Sequence, residues 1–376
     1  MAKVTVNRIG LIEELTKCGK AVGNQGISQC ILIELKGEYL TLSTTDLINL
    51  VHVFTLVENG EKDISVCVLY SIFNEAVRKF RSKDIILDLN DSKNEIRLND
   101  EFTITGSDKY QVDDFPVIPV IEDLPYVFDG KEFTDTVKRS ALAMSSGEGK
   151  INLEGLYISI DESGQVSMSS ANGKLGTLDT SLTTENPSGL RIEWFLPKSA
   201  VDMIDFEGRI EIGNDDRDRM AILSGSRMQI IRMSENKYPF KAVVGLFDKP
   251  TTIVATVNSS SFMEKVSLAN ISTKRISGGD GKELREYARV SISFTSEGMA
   301  ITPHDKASHM KFNTMIPCES VGEAKFVINT IDIPTITWLC KKERLTIGYR
   351  GEGREIIVTS DDFPNYKTLI MPISSQ

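Results

Sequence analysis

The chain has 376 residues, 40% of them apolar and 26% charged, with a formal net charge of −10. That length exceeds one ordinary hydrophobic core, so two or three domains are expected. The acidic balance excludes a protein held on nucleic acid by bulk attraction, though not one held by topology with a modest basic lining.

The first predicted element is an amphipathic helix over Asn7–Val22, which places Leu11, Leu15, Cys18 and Val22 on one face. A strand led by glycine follows in Gly37–Asp46, GEYLTLSTTD. A second helix, Val68–Phe80, carries a wide stripe of Leu69, Ile72, Phe73, Ala76, Val77 and Phe80. A strand at Asp84–Leu89, a turn at Asn99-Asp100 and a strand at Phe102–Thr105 come next. The segment closes on Phe115-Pro116, where proline ends strand pairing.

The same order then recurs twice. A helix over Gly130–Ser145 has Phe133, Val137, Ala141 and Met144 on one face, and Gly164–Leu175, GQVSMSSANGKL, repeats the glycine-led strand. Pro197–Phe206 is the second helix of this copy, with proline at its first position, where a missing N–H costs nothing. Strands at Arg209–Ile212 and Met228–Arg232 flank a turn at Ser224-Gly225, and Tyr238-Pro239 closes the copy. The third copy has a helix over Ser259–Ile271 (Phe262, Val266, Ala269) and a glycine-led strand in Gly298–Asp305, GMAITPHD. Its second helix, Ile333–Lys342, carries Pro334 near its start and turns Ile336, Leu339 and Cys340 inward. Strands at Leu345–Tyr349 and Ile356–Thr359 flank the turn Gly351–Gly353 before Phe363-Pro364. Equivalent markers lie between 122 and 133 positions apart. The pattern predicts an α+β fold of three tandem similar domains, over 1–122, 123–249 and 250–376. Each has two one-faced helices on one side of an antiparallel sheet.

Signals of catalysis are missing. Of three histidines, His52 sits in a strand-like run, and His304 and His309 share one segment without a third metal ligand. Glycine-lysine pairs are never followed by the serine or threonine of a phosphate loop, and no nucleophile elbow is found. Neither an active site nor a cofactor is expected. No run of about 18 apolar residues or secretion signal appears, and five scattered cysteines (Cys18, Cys30, Cys67, Cys318, Cys340) suit the reducing cytoplasm.

Cations are more informative. Lys17 and Lys20, Lys138 and Arg139, Lys198, Lys265 and Lys274, and Lys341 fall on the polar sides and ends of helices from all three copies. Some belong there for the helix dipole. The functional reading is that these helices face one common anionic ligand, through phosphate contacts that read no sequence.

At this point the chain resembles the bacterial DNA polymerase III β subunit, the sliding clamp, as a divergent member. Thr45–Leu47 is similar to the family's G-T-D-L, Leu153-Glu154-Gly155-Leu156 to its L-N-G-[ML], Asp114-Phe115-Pro116 to its D-F-P, and Leu369–Ile373 to its V-V-M-P-[MI]. The resemblance implies a head-to-tail homodimer closing into a ring, with helices lining the hole. Such a ring encircles double-stranded DNA and tethers the replicative polymerase, the clamp loader and other enzymes. It also implies a cleft between the second and third domains for a short, partly apolar partner peptide. Carried over by residue, its walls are Leu153, Asn172, Gly173, Lys174, Leu175, Pro239, Val243, Val244, Leu369, Ile370, Met371 and Pro372. At the subunit contact it implies Phe102 and Ile104 on one side and Ile271 on the other. This chain departs from the family where T-D-G-H-R-L reads S-A-N-G-K-L, where Phe240-Lys241-Ala242 replaces a Tyr-Arg-Arg run, and where Gln25 stands for a basic residue. The competing reading is a scaffold of the same fold that does not load on DNA.

Overall fold

The computed structural model describes residues 2–57, 63–121, 123–147, 149–215, 219–274, 289–303, 312, 314–336, 338–341 and 343–373, with the side chains of 270–274, 331, 334 and 340 left aside. His304, His309 and Lys342 lie outside the described residues, as do the side chains of Ile271, Lys274 and Cys340.

The first stretch runs β1 (Ala2–Asn7), α1 (Arg8–Cys18), β2 (Cys30–Lys36), β3 (Tyr39–Thr45), β4 (Asn49–Leu56), β5 (Ile64–Leu69), α2 (Tyr70–Lys79), β6 (Asp84–Asn90), β7 (Glu95–Leu98) and β8 (Phe102–Thr105). The second runs β9 (Tyr126–Asp129), α3 (Gly130–Ser140), β10 (Gly155–Ile160), β11 (Val166–Ala171), β12 (Leu175–Asp179), β13 (Ile192–Pro197), α4 (Lys198–Met203), β14 (Arg209–Asn214), β15 (Met220–Ser224), β16 (Arg227–Ile231) and α5 (Phe240–Phe247). The third runs β17 (Ile253–Asn258), α6 (Ser259–Lys274), β18 (Arg289–Thr295), β19 (Gly298–Pro303), β20 (Thr314–Ile316), β21 (Cys318–Val321), β22 (Ala324–Asn329), β23 (Arg344–Tyr349), β24 (Ile356–Thr359) and β25 (Tyr366–Ile370).

The three glycine-led strands fall at equivalent places, β3, β11 and β19. A further repeat lies in the local chemistry that starts the helices. Each first helix leaves a strand through an Asn or Asp whose carbonyl or carboxylate oxygen accepts from a backbone N–H three residues on. Gly10 N donates to Asn7 Oδ1, Glu132 N to Asp129 Oδ1 and Ser261 N to Asn258 Oδ1. Such caps are worth about 0.5–2 kcal/mol each. Behind them, Leu11, Leu15 and Cys18, then Phe133 and Val137, then Phe262, Val266 and Ala269 are buried, as their spacing requires.

Two compact units divide the chain, and the division passes inside its middle third. Unit 1 comprises 1–134, 185–187 and 199–233. It contains a four-stranded sheet, β1-β6-β7-β8, and an eight-stranded sheet, β5-β2-β3-β4-β16-β15-β14-β9. In the larger sheet β4 pairs antiparallel with β16, setting Asn49 opposite Ile231 and Val53 opposite Arg227. Its main core gathers Leu15 and Cys18 of α1, Phe73 and Val77 of α2, and Ile33, Leu42, Val51 and Leu87 of the strands.

Unit 2 comprises 135–184, 188–198 and 234–376. Its nine-stranded sheet runs β13-β10-β11-β12-β25-β24-β23-β17-β21, and its four-stranded sheet runs β20-β19-β18-β22. Here β12 pairs antiparallel with β25, Leu175 opposite Ile370 and Asp179 opposite Tyr366. The core collects Phe262, Val266, Phe294, Ile301, Ile347 and Tyr366. Both long sheets are the same construction: four strands from one copy of the repeat continue into four from the next, with β21 added at the far edge of the nine-stranded sheet.

Several expectations are corrected. The hairpin regions of the first two copies each have an extra strand: β7 lies between β6 and the Asn99-Asp100 turn, and β15 precedes the Ser224-Gly225 turn. Both turns need left-handed backbone, which Asn99, Asp100 and Gly225 supply. The helix predicted over Ile333–Lys342 is instead two short 3₁₀ stretches, Thr330–Ile336 and Leu339–Lys341. Pro334 removes an internal N–H there, and the flanking Thr330, Ile331, Ile333, Thr335 and Ile336 are all β-branched, which disfavours a longer α-helix.

Candidate peptide cleft and cation-bearing helices

The candidate cleft falls within unit 2, on the sheet face opposite the main core. Residues alternate across a strand, so at the β12–β25 junction Leu369 faces one side while Leu175 and Ile370 face the other. On the first side Leu369 joins Tyr157, Ala171, Leu178, Phe195, Tyr238, Val243, Phe247 and Ile357 in one buried cluster. Leu153, Phe240, Val244, Leu246 and Met371 pack on it half-buried, forming an apolar surface with a solvated edge. Helix α5 supplies Val243, Val244 and Phe247, and an aromatic stack fixes its start. The Phe240 and Tyr157 rings lie 4.4 Å apart, and Tyr157 and Tyr238 5.4 Å apart. Arg191 reaches the same stack, 5.4 Å from the Phe240 ring and 3.2 Å from the Tyr157 hydroxyl.

One end of this surface is the turn Asn172–Leu175. Gly173 adopts φ +87°, a backbone that L side chains rarely take. Asn172 Oδ1 accepts from the backbone N–H groups of Lys174 and Leu175, both at 2.8 Å. Met371 N donates to Lys174 O at 2.7 Å, so the turn and the C-terminal segment hold each other. Thus Leu153, Val243, Val244, Leu369 and Met371 come together on one apolar cluster, with Asn172, Gly173 and Lys174 in the adjoining turn. Pro239 is exposed just before α5, and Pro372 is half-buried after Met371. Leu175 and Ile370 belong to the neighbouring core with Ile333 and Ile336 instead, because the pleat turns them away.

The cations divide sharply. Lys20, Lys138, Lys198 and Lys341 are exposed, and Lys17 and Lys265 are half-buried. Lys17 pairs with Glu14 at 3.0 Å, Lys20 with Asp205 at 2.9 Å and Lys265 with Glu264 at 2.6 Å. Lys341 Nζ sits 3.7 Å from the Trp338 ring centroid. Arg139 departs from expectation. Its guanidinium is buried, ion-paired with Asp179, bonded to Thr136 and Ser181, and stacked 4.8 Å from the Phe363 ring. A guanidinium so enclosed is a structural tie within unit 2 and is not available to phosphate.

In unit 1, β8 is an edge strand, and beside it α2 leaves apolar side chains uncovered. Ile72 is 42% exposed and Phe102 44% exposed. They line a groove of about 610 Å³ with Ala76, Phe80 and the charged Glu75, Lys79, Arg81 and Glu101. Ile104 shares the pleat side of Phe102 but is buried in the unit's core, so it is not surface.

Comparison with known proteins places this architecture. The family model described as the DNA polymerase III beta subunit, N-terminal domain, matches residues 2–119. The DNA polymerase sliding clamp from Bacillus subtilis superposes with a TM-score of 0.87 at 15% identity, covering 100% of both chains. The DNA polymerase III subunit beta from Pseudomonas aeruginosa gives 0.85 at 14% identity over 99% of both chains. The beta chain from Streptococcus pneumoniae gives 0.85 at 16% over 100% of both. The chain has the sliding-clamp fold. No curated protein sequence matches it.

Reasoning from the sequence missed two parts of this clamp-fold surface. One is α5, whose signal was present as Phe240, Val243 and Phe247 at helical spacing after Pro239. The other is the aromatic stack around Tyr157, which joins residues 83 positions apart in Tyr157 and Phe240 and has no local signature. No group of three or more potential metal ligands occurs among the described residues. No described helix is long and apolar enough to cross a membrane.

Proposed function

We propose that two copies of this chain close head to tail into a ring that encircles double-stranded DNA and tethers a DNA polymerase and other partners through the cleft. The observation that carries this reading is the repeated junction. In unit 1, β4 joins β16, and in unit 2, β12 joins β25, both antiparallel. The corresponding strand of the third copy is β20, which ends its sheet, and the corresponding partner strand is β8, which ends another. A β20–β8 contact between copies is a heterologous interface of the same kind, and such an interface closes when its rotation closes. The apolar groove of Ile72, Ala76, Phe80 and Phe102 beside β8 gives that contact a hydrophobic seat. Under this reading the three copies are domains 1–122, 123–249 and 250–376.

Topological retention needs little affinity, which suits a net charge of −10 and helix cations mostly paired with neighbouring acids. The chain then acts as a non-catalytic processivity subunit in the cytoplasm, at the nucleoid. Assembled on nicked circular DNA, the protein is expected to stay bound through a moderate-salt wash and to leave once the DNA is linearised. A phosphate binder instead loses its hold steeply with salt on either template. Release from circular and linear DNA alike would leave the non-loading scaffold as the reading.

A further inference from the structure

Beside the turn that ends the cleft, on the main-core side of the sheet, sits a carboxylate that accepts no hydrogen bond among the described residues. Asp332 lies in the 3₁₀ stretch Thr330–Ile336, only 9% exposed. That stretch packs against β12, β22 and β25, and its Ile333 and Ile336 share a core with Leu175, the last residue of the cleft turn. Among the described residues the Asp332 carboxylate accepts no hydrogen bond and makes no ion pair within 4 Å, while the neighbouring Thr335 is held at both its hydroxyl and its carbonyl. Thr335 Oγ1 donates to Asp332 O, and the hydroxyls of Tyr366 and Thr368 donate to Thr335 O at 3.2 and 3.3 Å. Burial raises the Asp332 carboxyl to about 6, and the nearby Lys174 only partly opposes this. Removing a carboxylate from water without compensation is unfavourable, and a bound donor or cation recovers the loss.

We propose that Asp332 selects partner peptides that carry a basic residue beside their apolar anchors. The inference rests on the cleft reading above and adds a specificity to it. Charge complementarity commits the occupant: a lysine or arginine placed past the apolar surface of Met371 and Leu369 and around the turn Asn172–Leu175 meets a carboxylate that accepts no hydrogen bond and has Lys174 as its nearby cation. The exposed Lys150, Lys174 and Lys241 around the same cleft favour acidic residues at other positions, so the preference for a base is confined to one site of the peptide.

The test uses the full-length protein and a set of hexapeptides with apolar residues at three positions, with arginine, glutamine or glutamate scanned through the other positions. At one position arginine is expected to bind roughly tenfold tighter than glutamate, the scale of one charge-assisted hydrogen bond. Asp332→Asn should erase that preference while leaving the affinity of the glutamine peptides unchanged, which also shows the variant is folded. The arginine preference should fade between pH 7.5 and 5, as the carboxyl gains its proton. The charged and titratable groups on the elements packed against Asp332 are Lys174, the Arg139–Asp179 pair, Lys325, Tyr366 and Lys367, none of them a histidine. An arginine preference identical in wild type and Asp332→Asn would overturn the inference and leave the cleft standing. Failure of every peptide to bind either protein would overturn the cleft reading itself, and this inference with it.

Discussion

Arg139 and Met371 show how differently two residues of unit 2 contribute. The Arg139 guanidinium is enclosed with Asp179, their side chains 6% and 0% exposed. Cutting such a pair on one side leaves a buried charge alone, which costs about 3–5 kcal/mol. Arg139→Ala should therefore lower the stability of the fold by that order in a urea titration, and Lys138→Ala, one position away on the exposed side, should not. If both variants proved equally mild, the structural role assigned to Arg139 would be wrong. Met371 is the opposite case: half-buried, packed on the cluster of Leu369, Val243 and Tyr238, with flexible surface to offer. Met371→Ala should weaken a partner peptide by roughly 1–3 kcal/mol, as for an interface anchor, while the unfolding midpoint moves little. Calorimetric titration decides it, and an unchanged affinity would mean the peptide docks elsewhere. The buried cysteines need no functional account. Burial, with Glu14 nearby, pushes the Cys18 thiol up to about 12, and such a thiol is inert rather than reactive.

At the scale of elements, what could be read from the chain depended on how local its cause was. Helices α1, α2, α3 and α6 were legible because their apolar faces recur every three or four residues, and β3, β11 and β19 because a glycine opens each. The Asn7, Asp129 and Asn258 caps were equally local and repeat at the spacing of Leu15, Val137 and Val266, yet a search for apolar periodicity passes over them. Strands β7 and β15 are four and five residues long and lie beside stronger turn signals. The 3₁₀ stretch at Thr330–Ile336 was misread as an α-helix because Pro334 was given the tolerance of a first-turn position that it does not occupy. For the cleft, the apolar members were placed through family resemblance, and pleat alternation then sorted Leu369 from Leu175 and Ile370. Asp332 was not legible at all, since nothing in T-I-D-I-P-T-I says that its carboxylate is enclosed. The edge element β8 carries its own prediction. Phe102 fills an apolar groove beside α2, and Phe102→Asp places a charge where the proposed subunit contact is driest. Sedimentation should show a dimer for wild type and a monomer for the variant, with unchanged circular dichroism. A variant that remains dimeric would move the contact away from β8.

For the whole molecule, the repeat matters because it supplies the same junction more than once. The two long sheets are chimaeras of neighbouring copies, β4 with β16 and β12 with β25, and in the proposed ring one further junction of this kind, β20 with β8, joins a second chain. The most direct measurement joins that junction covalently. Thr103→Cys on β8 and Met315→Cys on β20 are both exposed positions. The double variant is treated with a bifunctional thiol reagent in the presence of nicked circular DNA and then washed in detergent that denatures the protein. A ring sealed at both contacts is expected to remain threaded on the circle and to be freed by cutting the DNA once. Cross-linked protein that washes from intact circles, or that joins no second copy at all, would contradict the encircling ring.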